Sequence, residues 1–386
     1  MKIRYFFLLI LFVCAGCETG DTPAEKRARH IERSKGDIVF GAADSWAEKR
    51  NKMWQGIEMA VDEINAAGGV LGRKVKVIRK DDQNSVDYGS LAAQAFAENP
   101  DISAVIGHNS SYVSIAAAIT YQYYGILMLS PLSTGRELTS QGFDMIFRNL
   151  PNDEVLASHT ARFCRQQGLK KILIYGSDDA YGNSVSTAFE AEAEKMGLQI
   201  VDRMSYDPFG TTLQFVTVIR YWQENYDFDA IFLGGGIMPP VADLISEIRR
   251  QGITLSILGT DNLDAPELLA LPDHVSDKVY TCTVFDDADE YFRVDKFSRA
   301  FIKRYGSEPD IAAAQGYDAV MVLCHAIRIA KSANPQKIAD TLRSMGSYEE
   351  GLTGPYSFDE KGDVTGKKVL IKMARGGRFQ LVDRDN

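Results

Sequence analysis

Two clusters of small polar residues and one isolated carboxylate are the parts of this chain best suited to hold a charged small molecule. Ser110 and Ser111 come just after an apolar run at residues 104–106 that stops at Gly107, and a helical pattern over residues 113–124 follows them. Ser133 and Thr134 follow a second apolar run at residues 126–129, which ends in Ser130-Pro131. Hydroxyls beside the free backbone N–H groups of a helix start favour an anion. Asp261 comes just past the strand-like residues 256–259, after Thr260, where a carboxylate would pair with an ammonium group through a charge-assisted hydrogen bond. Serines on one part of the chain and an acid on another would clasp a zwitterion between them. Each group also has a plainer reading: Ser110 or Ser111 caps its helix, and Asp261 caps the short segment after it. Trp46 and Tyr181, aromatic residues in loops at equivalent edges, would wall the pocket or pack locally.

Other chemistries fit less well. Gly234-Gly235-Gly236 stands between a strand-like and a helical segment, as a dinucleotide fingerprint does, but the third glycine of that spacing would fall at Pro239. No Gly-Lys-Ser/Thr phosphate loop occurs, so the turn is read as a place where backbone at Gly236 approaches a ligand. Gly107-His108-Asn109-Ser110 lacks the register of a nucleophile elbow. The five histidines show no His-x-x-x-His spacing, and no Cys/His cluster suggests a metal. The acid pairs Asp81-Asp82, Asp178-Asp179 and Asp286-Asp287 are adjacent in sequence, which points their side chains apart and suits turns better than acid–base work. No enzyme activity, cofactor or metal is expected.

The elements that must position these residues follow from periodicity. Strand, polar turn, helix, strand, polar turn is the rhythm of residues 104–139, and two parallel strands leave both turns at one edge of a sheet. In open α/β sheets ligands bind beyond the carboxyl ends of the strands. The same alternation runs from residue 37 to 149 and again from 155 to 284, with helices predicted over 295–305, 312–330 and 336–345 and short β segments near the end. It predicts α/β architecture: two doubly wound parallel-sheet lobes with the ligand cleft between them.

At 386 residues the chain exceeds the size of a single core. Its composition, 45% hydrophobic and 25% charged, is ordinary for a globular protein. A net charge of −9 with no long basic stripe argues against nucleic acid as a partner. Lys2 and Arg4 precede an apolar run at residues 5–13, which is shorter than the about 20 residues a membrane span needs. Ala15-Gly16-Cys17 then resembles the bacterial lipoprotein signal, with Cys17 as the lipidated first residue of the mature chain and residues 1–16 as signal peptide. It departs from that pattern at Cys14, where Leu is more usual, and the rival reading is plain secretory cleavage. Residues 17–36, polar and mixed in charge, are read as a flexible tether. Cys164, Cys282 and Cys324 remain, with apolar neighbours and no C-x-x-C spacing, and are read as buried thiols.

From Asp37 onward the chain resembles the bacterial periplasmic substrate-binding proteins of the leucine/isoleucine/valine type, which serve ABC importers. The stretches that carry the resemblance include Asp62-Glu63-Ile64-Asn65-Ala66-Ala67-Gly68-Gly69, Gly107 with its Ser110-Ser111, Ser130-Pro131, Asp179-Ala180-Tyr181-Gly182, Gly259-Thr260-Asp261, and Asp359-Glu360-Lys361-Gly362-Asp363. The resemblance implies two lobes joined by three crossovers, near residues 150–152, 283–286 and 352–356. Lobe 1 would then hold residues 37–150 and 283–353, and lobe 2 residues 151–282 and 354–386. It implies that Ser111 and Thr134 hold a ligand carboxylate, with backbone at Ser133, and that Asp261 holds the ammonium, with Tyr181 lining the cleft. A disulfide of close relatives would fall at Asn84 and Ser110, which cannot form it. Gly236 and Ile237 stand where leucine-type members place a tyrosine, Asp261 is shorter than their Glu, and the loop at residues 44–52 lacks their Gly-Pro and Tyr-Gly. Leucine, a smaller polar amino acid, an amide and an aromatic acid all remain open as ligand. The implied protein is a monomeric, lipid-anchored, extracytoplasmic receptor that delivers its ligand to a membrane permease, or alternatively a sensory receptor of the same fold.

Overall fold

A computed structural model describes residues 20–46, 51–208, 210–236, 240–288 and 292–384. The signal segment and Cys17 lie outside the described residues. The first lobe is built from β1 (Ile38–Asp44), α2 (Met53–Ala66), β2 (Val75–Asp81), α3 (Val86–Glu98), β3 (Ile102–Ile106), α4 (Ser111–Tyr124), β4 (Leu127–Ser130), α5 (Glu137–Ser140) and β5 (Ile146–Arg148), preceded by α1 (Pro23–Arg33). Its five strands are all parallel and run in the order β2-β1-β3-β4-β5. Every residue of β3 and β4 is buried, as a parallel strand covered on both faces must be.

The second lobe holds α6 (Asp153–Gln166), β6 (Lys171–Ser177), α7 (Ala180–Lys195), β7 (Gln199–Tyr206), α8 (Thr212–Asn225), β8 (Ala230–Gly234), α9 (Pro240–Arg250), β9 (Ser256–Leu258), α10 (Pro266–Leu269), α11 (Asp273–Ser276) and β10 (Val279–Thr283). The chain then returns to the first lobe for α12 (Phe292–Tyr305), α13 (Ile311–Ala330), α14 (Pro335–Ser344) and the two-residue strands β11 (Ser357–Phe358) and β12 (Val364–Thr365). It ends in the second sheet with β13 (Leu370–Arg375) and β14 (Arg378–Arg384), giving the order β14-β13-β10-β9-β8-β6-β7. Both β13 and β14 pair antiparallel, which closes that edge. The alternation read from the sequence thus yields two α/β lobes.

Two expectations need correction. The third crossover falls later than residues 352–356: Tyr356, Phe358 and Val364 are buried in the first lobe's core, and Val369 and Ile371 are the first residues in the second lobe's. The apolar side chains of the β11–β12 hairpin carry it into the first core, which the short strand spacing alone did not reveal. Residues 17–36 are also more than a tether, because Pro23–Arg33 form a helix capped by a Thr22/Glu25 capping box. Ile31 enters the first lobe's core. Arg27 is 5% exposed, and its guanidinium donates to the carbonyls of Ala97 (2.5 Å), Asn99 (2.6 Å), Ile102 (3.1 Å) and Tyr124 (3.1 Å). It thereby serves the carboxyl ends of both α3 and α4, where a cation is favoured. A helix of mixed charge looks like solvated linker until that one cation finds carbonyl partners.

The crossovers share a buried polar network. Gln315 on α13 accepts from Asn149 and donates back to its carbonyl, at 3.1 and 2.9 Å. Lys367, in the last crossover, donates to Gln315 Oε1 (2.7 Å) and Thr353 Oγ1 (2.5 Å), and Thr353 Oγ1 donates to Asp318 (2.7 Å). In the core, α2 and α13 meet at Gly56, where an added Cβ would stand 1.9 Å from the Ala313 carbonyl oxygen. Cys164, Cys282 and Cys324 are buried thiols outside any disulfide.

Candidate ligand site

Strand order reverses between β1 and β3 in one sheet and between β6 and β8 in the other, and the main cavity opens at the carboxyl ends of those strands. It holds about 180 Å³, room for about a dozen waters and so for one small ligand. Its walls come from residues after β1 (Asp44, Ser45), after β3 (Asn109, Ser110, Ser111), after β4 (Leu132, Thr134), after β6 (Asp179, Tyr181), after β8 (Gly236) and after β9 (Asp261, Asn262). This is where an open α/β sheet binds ligands.

The first-lobe face is a hydroxyl-rich turn locked from behind. His108 is fully buried, with Nδ1 2.6 Å from Asp82 Oδ2 and Nε2 3.0 Å from the Tyr121 hydroxyl. Ser110 occupies the N-cap position of α4, yet its side chain caps nothing and donates instead to Asn84 Oδ1. Asn84 and Ser110 are therefore neighbours joined by a hydrogen bond. Ser111 Oγ accepts from the Gly135 N–H at 3.0 Å, so its own proton remains available for an acceptor in the cavity. Three first-turn N–H groups at the start of α4 have no intrahelical acceptor and make this end attractive to an anion. Thr134 is buried and reaches the cavity wall.

Ser133 does not reach it. Its hydroxyl contacts Ser114 Oγ and donates to the Asn109 carbonyl (3.0 Å), and its N–H donates to Ser130 Oγ (3.1 Å). Its carbonyl accepts from Arg148 (3.2 Å), a fully buried arginine that also holds the Gly135 carbonyl and pairs with Asp363 at 2.5 Å. Ser133 therefore shapes the turn and leaves no group over for a ligand. Trp46 is outside the cavity as well: its indole N–H donates to the Lys80 carbonyl (2.8 Å), and its ring packs edge-on to Trp54 beside Arg79. Local packing, the plainer reading, describes this tryptophan.

The second-lobe face is acidic. Tyr181, on the first turn of α7, donates to Asp261 Oδ1 at 3.0 Å, and its oxygen also lies 3.0 Å from Thr260 Oγ1. Asp261 is the first residue of a short 3-10 turn whose N-cap position belongs to Thr260, and it is partly open to the cavity. Burial, and secondarily the charge of Asp153, raise its pKa to about 7. Gly236, at φ +82°, brings backbone to the wall, and a Cβ there would run into the Tyr206 hydroxyl.

Asp153 was not singled out from the sequence. It is the first residue of α6, fully buried, and both carboxyl oxygens lack a hydrogen-bond partner. Burial raises its pKa to about 6, and the Ser184 and Thr134 side chains pull the other way without closing to hydrogen-bond geometry. Asn152 already caps α6, accepting from the Val155 N–H at 3.1 Å. An acid left over at a crossover, beside a residue that has taken the cap, is the signal that was available. The Asp261 carboxyl and the Tyr181 hydroxyl line the same cavity as the α4 N-terminus and the Ser111 and Thr134 hydroxyls, with Asp153 buried close enough for its charge to act on Asp261. Such an arrangement holds a molecule that is positive at one end and negative at the other. Among the described residues no cluster of His, Cys, Asp and Glu is placed to hold a metal.

Known proteins share this organisation. A sequence profile for the family described as periplasmic binding protein matches residues 45–377. An amino acid binding protein of Pseudomonas aeruginosa is 26% identical over 348 residues, which span 85% of this chain and 87% of the relative. A Leu/Ile/Val/Thr-binding protein of Salmonella typhimurium is 27% identical over 346 residues, spanning 85% and 88%. An ABC transporter substrate-binding protein from Desulfitobacterium hafniense, solved in complex with Leu, superposes with a TM-score of 0.81 at 34% identity, over 90% of this chain and 100% of that one.

Proposed function

Because the chain belongs to the periplasmic binding protein family, we propose that it is an extracytoplasmic receptor that captures a free α-amino acid by lobe closure and hands it to an ABC permease. The observation that carries this reading is the charge layout of one cavity. Tyr181, Asp261 and the neighbouring Asp153 are on the second lobe, and the α4 N-terminus with Ser111 and Thr134 is on the first. The ligand carboxylate takes the Ser111 proton, the Thr134 hydroxyl and the first-turn N–H groups. Its ammonium pairs with Asp261, with buried Asp153 nearby, and its positive charge favours in both the ionised state that burial disfavours. Since the two ends are held by different lobes, the ligand itself bridges the closed form, the hinge mode of switching. The Leu complex of the Desulfitobacterium hafniense protein and the names of the bacterial relatives support amino acids as the ligand class. Cys17 is the residue that would carry the lipid anchor, and no chemical step is assigned to the cleft. Among the described residues no helix is long and apolar enough to cross a membrane.

A thermal-shift screen against the common L-amino acids tests the reading. At 100 times its dissociation constant a ligand adds about 2.7 kcal/mol of stability. The shift should vanish in Asp261→Ala at the same ligand concentration. Shifts given only by carboxylates that lack an ammonium would overturn it.

A further inference from the structure

Beyond the two ends of the zwitterion, the cavity is walled at its remaining side by Asp44, Asn51, Asp264, Glu267 and Asp310. Three of the carboxylates that line the cavity are engaged by partners of their own. Asp179 caps α7 by accepting from the Gly182 N–H (2.8 Å), and Asp310 caps α13 while also accepting from the Lys52 N–H. Asp264 pairs with buried Lys372 at 3.0 Å and takes the Thr283 hydroxyl proton. Two are not neutralised. Asp44, 2% exposed at the end of β1, accepts among the described residues from the Ser45 N–H (2.7 Å) and Asn51 Nδ2 (2.9 Å). Glu267, on α10 of the other lobe, has an oxygen, Oε2, that is buried and without any hydrogen-bond partner. Among the described residues no Lys or Arg lines the cavity.

We propose that Asp44 and Glu267 form a subsite for a second cationic group, so that the ligand is a basic α-amino acid of the arginine or lysine kind. The proposal rests on the amino-acid reading above and adds the class of side chain. Two like charges carried by opposite lobes repel as the lobes approach, and more strongly as water leaves the cavity. A leucine side chain would leave that repulsion in place and would bury the Glu267 oxygen with no donor. A guanidinium or ammonium supplies both charge and donors. The cation then helps to close the lobes, and selectivity arises because a neutral side chain must close against the repulsion.

Isothermal titration calorimetry of the full chain at pH 8 with L-arginine, L-lysine, L-leucine and L-glutamate decides the matter. Arginine or lysine should bind at least about tenfold more tightly than leucine, and glutamate should give no heat. Glu267→Gln and Asp44→Asn should each lower the ratio of arginine to leucine affinity by about tenfold or more. Should the buried Asp44 variant fail to fold, Glu267→Gln decides alone. Leucine binding as tightly as the basic amino acids, or an affinity ratio unchanged in Glu267→Gln, overturns the subsite and leaves the amino-acid reading standing. No heat from any of the four overturns both.

Discussion

At the scale of single residues, the acids of the cleft make binding depend on pH in a direction that can be stated in advance. In the ligand-free protein Asp261 titrates at about 7 and Asp153 at about 6, against about 3.9 for a free aspartate. The folded state therefore holds more protons than the unfolded state between about pH 4 and 7, so these two groups lower stability as pH rises through that window. An ammonium ligand reverses the preference by favouring both carboxylates. The ligand-induced shift in melting temperature should therefore grow from pH 5 to 8, by up to about tenfold in affinity per unit below the pKa of each group. Calorimetry at pH 5, 6, 7 and 8 reads it directly, and a flat profile would place the ammonium elsewhere. Ser111, Thr134 and Asp261 were legible as cavity-lining residues because each comes shortly after an apolar run, where strand ends must lie. Ser133 and Trp46 satisfy the same rule and yet turn away, since which side of a turn a hydroxyl faces is settled by partners far along the chain. Arg148 holds Ser133 from fifteen positions downstream.

At the scale of elements, α1 is the part whose behaviour departs most from its composition. Four carbonyls accept from Arg27, and removing it takes that donor from each of them at buried or partly buried positions. Arg27→Ala should lower unfolding free energy by about 2–4 kcal/mol, read as an earlier midpoint in urea. A chain beginning at Asp37 should lose at least as much, because Ile31 leaves its seat too. One beginning at Gly20 should not. A true tether would make all three equal to the parent. The alternation of helices and strands was legible throughout, because periods of 3.6 and 2 leave their mark on every buried face. Pieces two to four residues long, such as α5, α10 and β12, are too short to carry a period. Their existence is decided by the cores they touch.

At the scale of the whole molecule, three crossovers must bend for the lobes to part, and Lys367 lies in the network that joins two of them. Burial, offset by the Asp318 carboxylate, lowers its pKa to about 7. An unfolded lysine titrates at about 10.4, so between about pH 7 and 10 the unfolded chain holds the extra proton and stability rises with pH through this residue. Denaturation at pH 7, 8 and 9 should show that rise, and Lys367→Met should remove it. The Lys367 slope therefore runs opposite to that of the cleft acids, and the two can be separated by variant. Neither Lys367 nor Gln315 announces itself in sequence, since each gains its role only when the third crossover returns beside the first.

The seating of α1 has a consequence of reach. With Cys17 as the lipidated residue proposed above, five residues lead from the lipid to Thr22, where the capped helix begins. Five residues span at most about 18 Å. A leash of that length lets the receptor pivot on the membrane but not wander from it. The side of the first lobe against which α1 packs would then be held within about 18 Å of the lipid surface, and the mouth of the cleft would be left with a limited range of headings toward any permease embedded beside it.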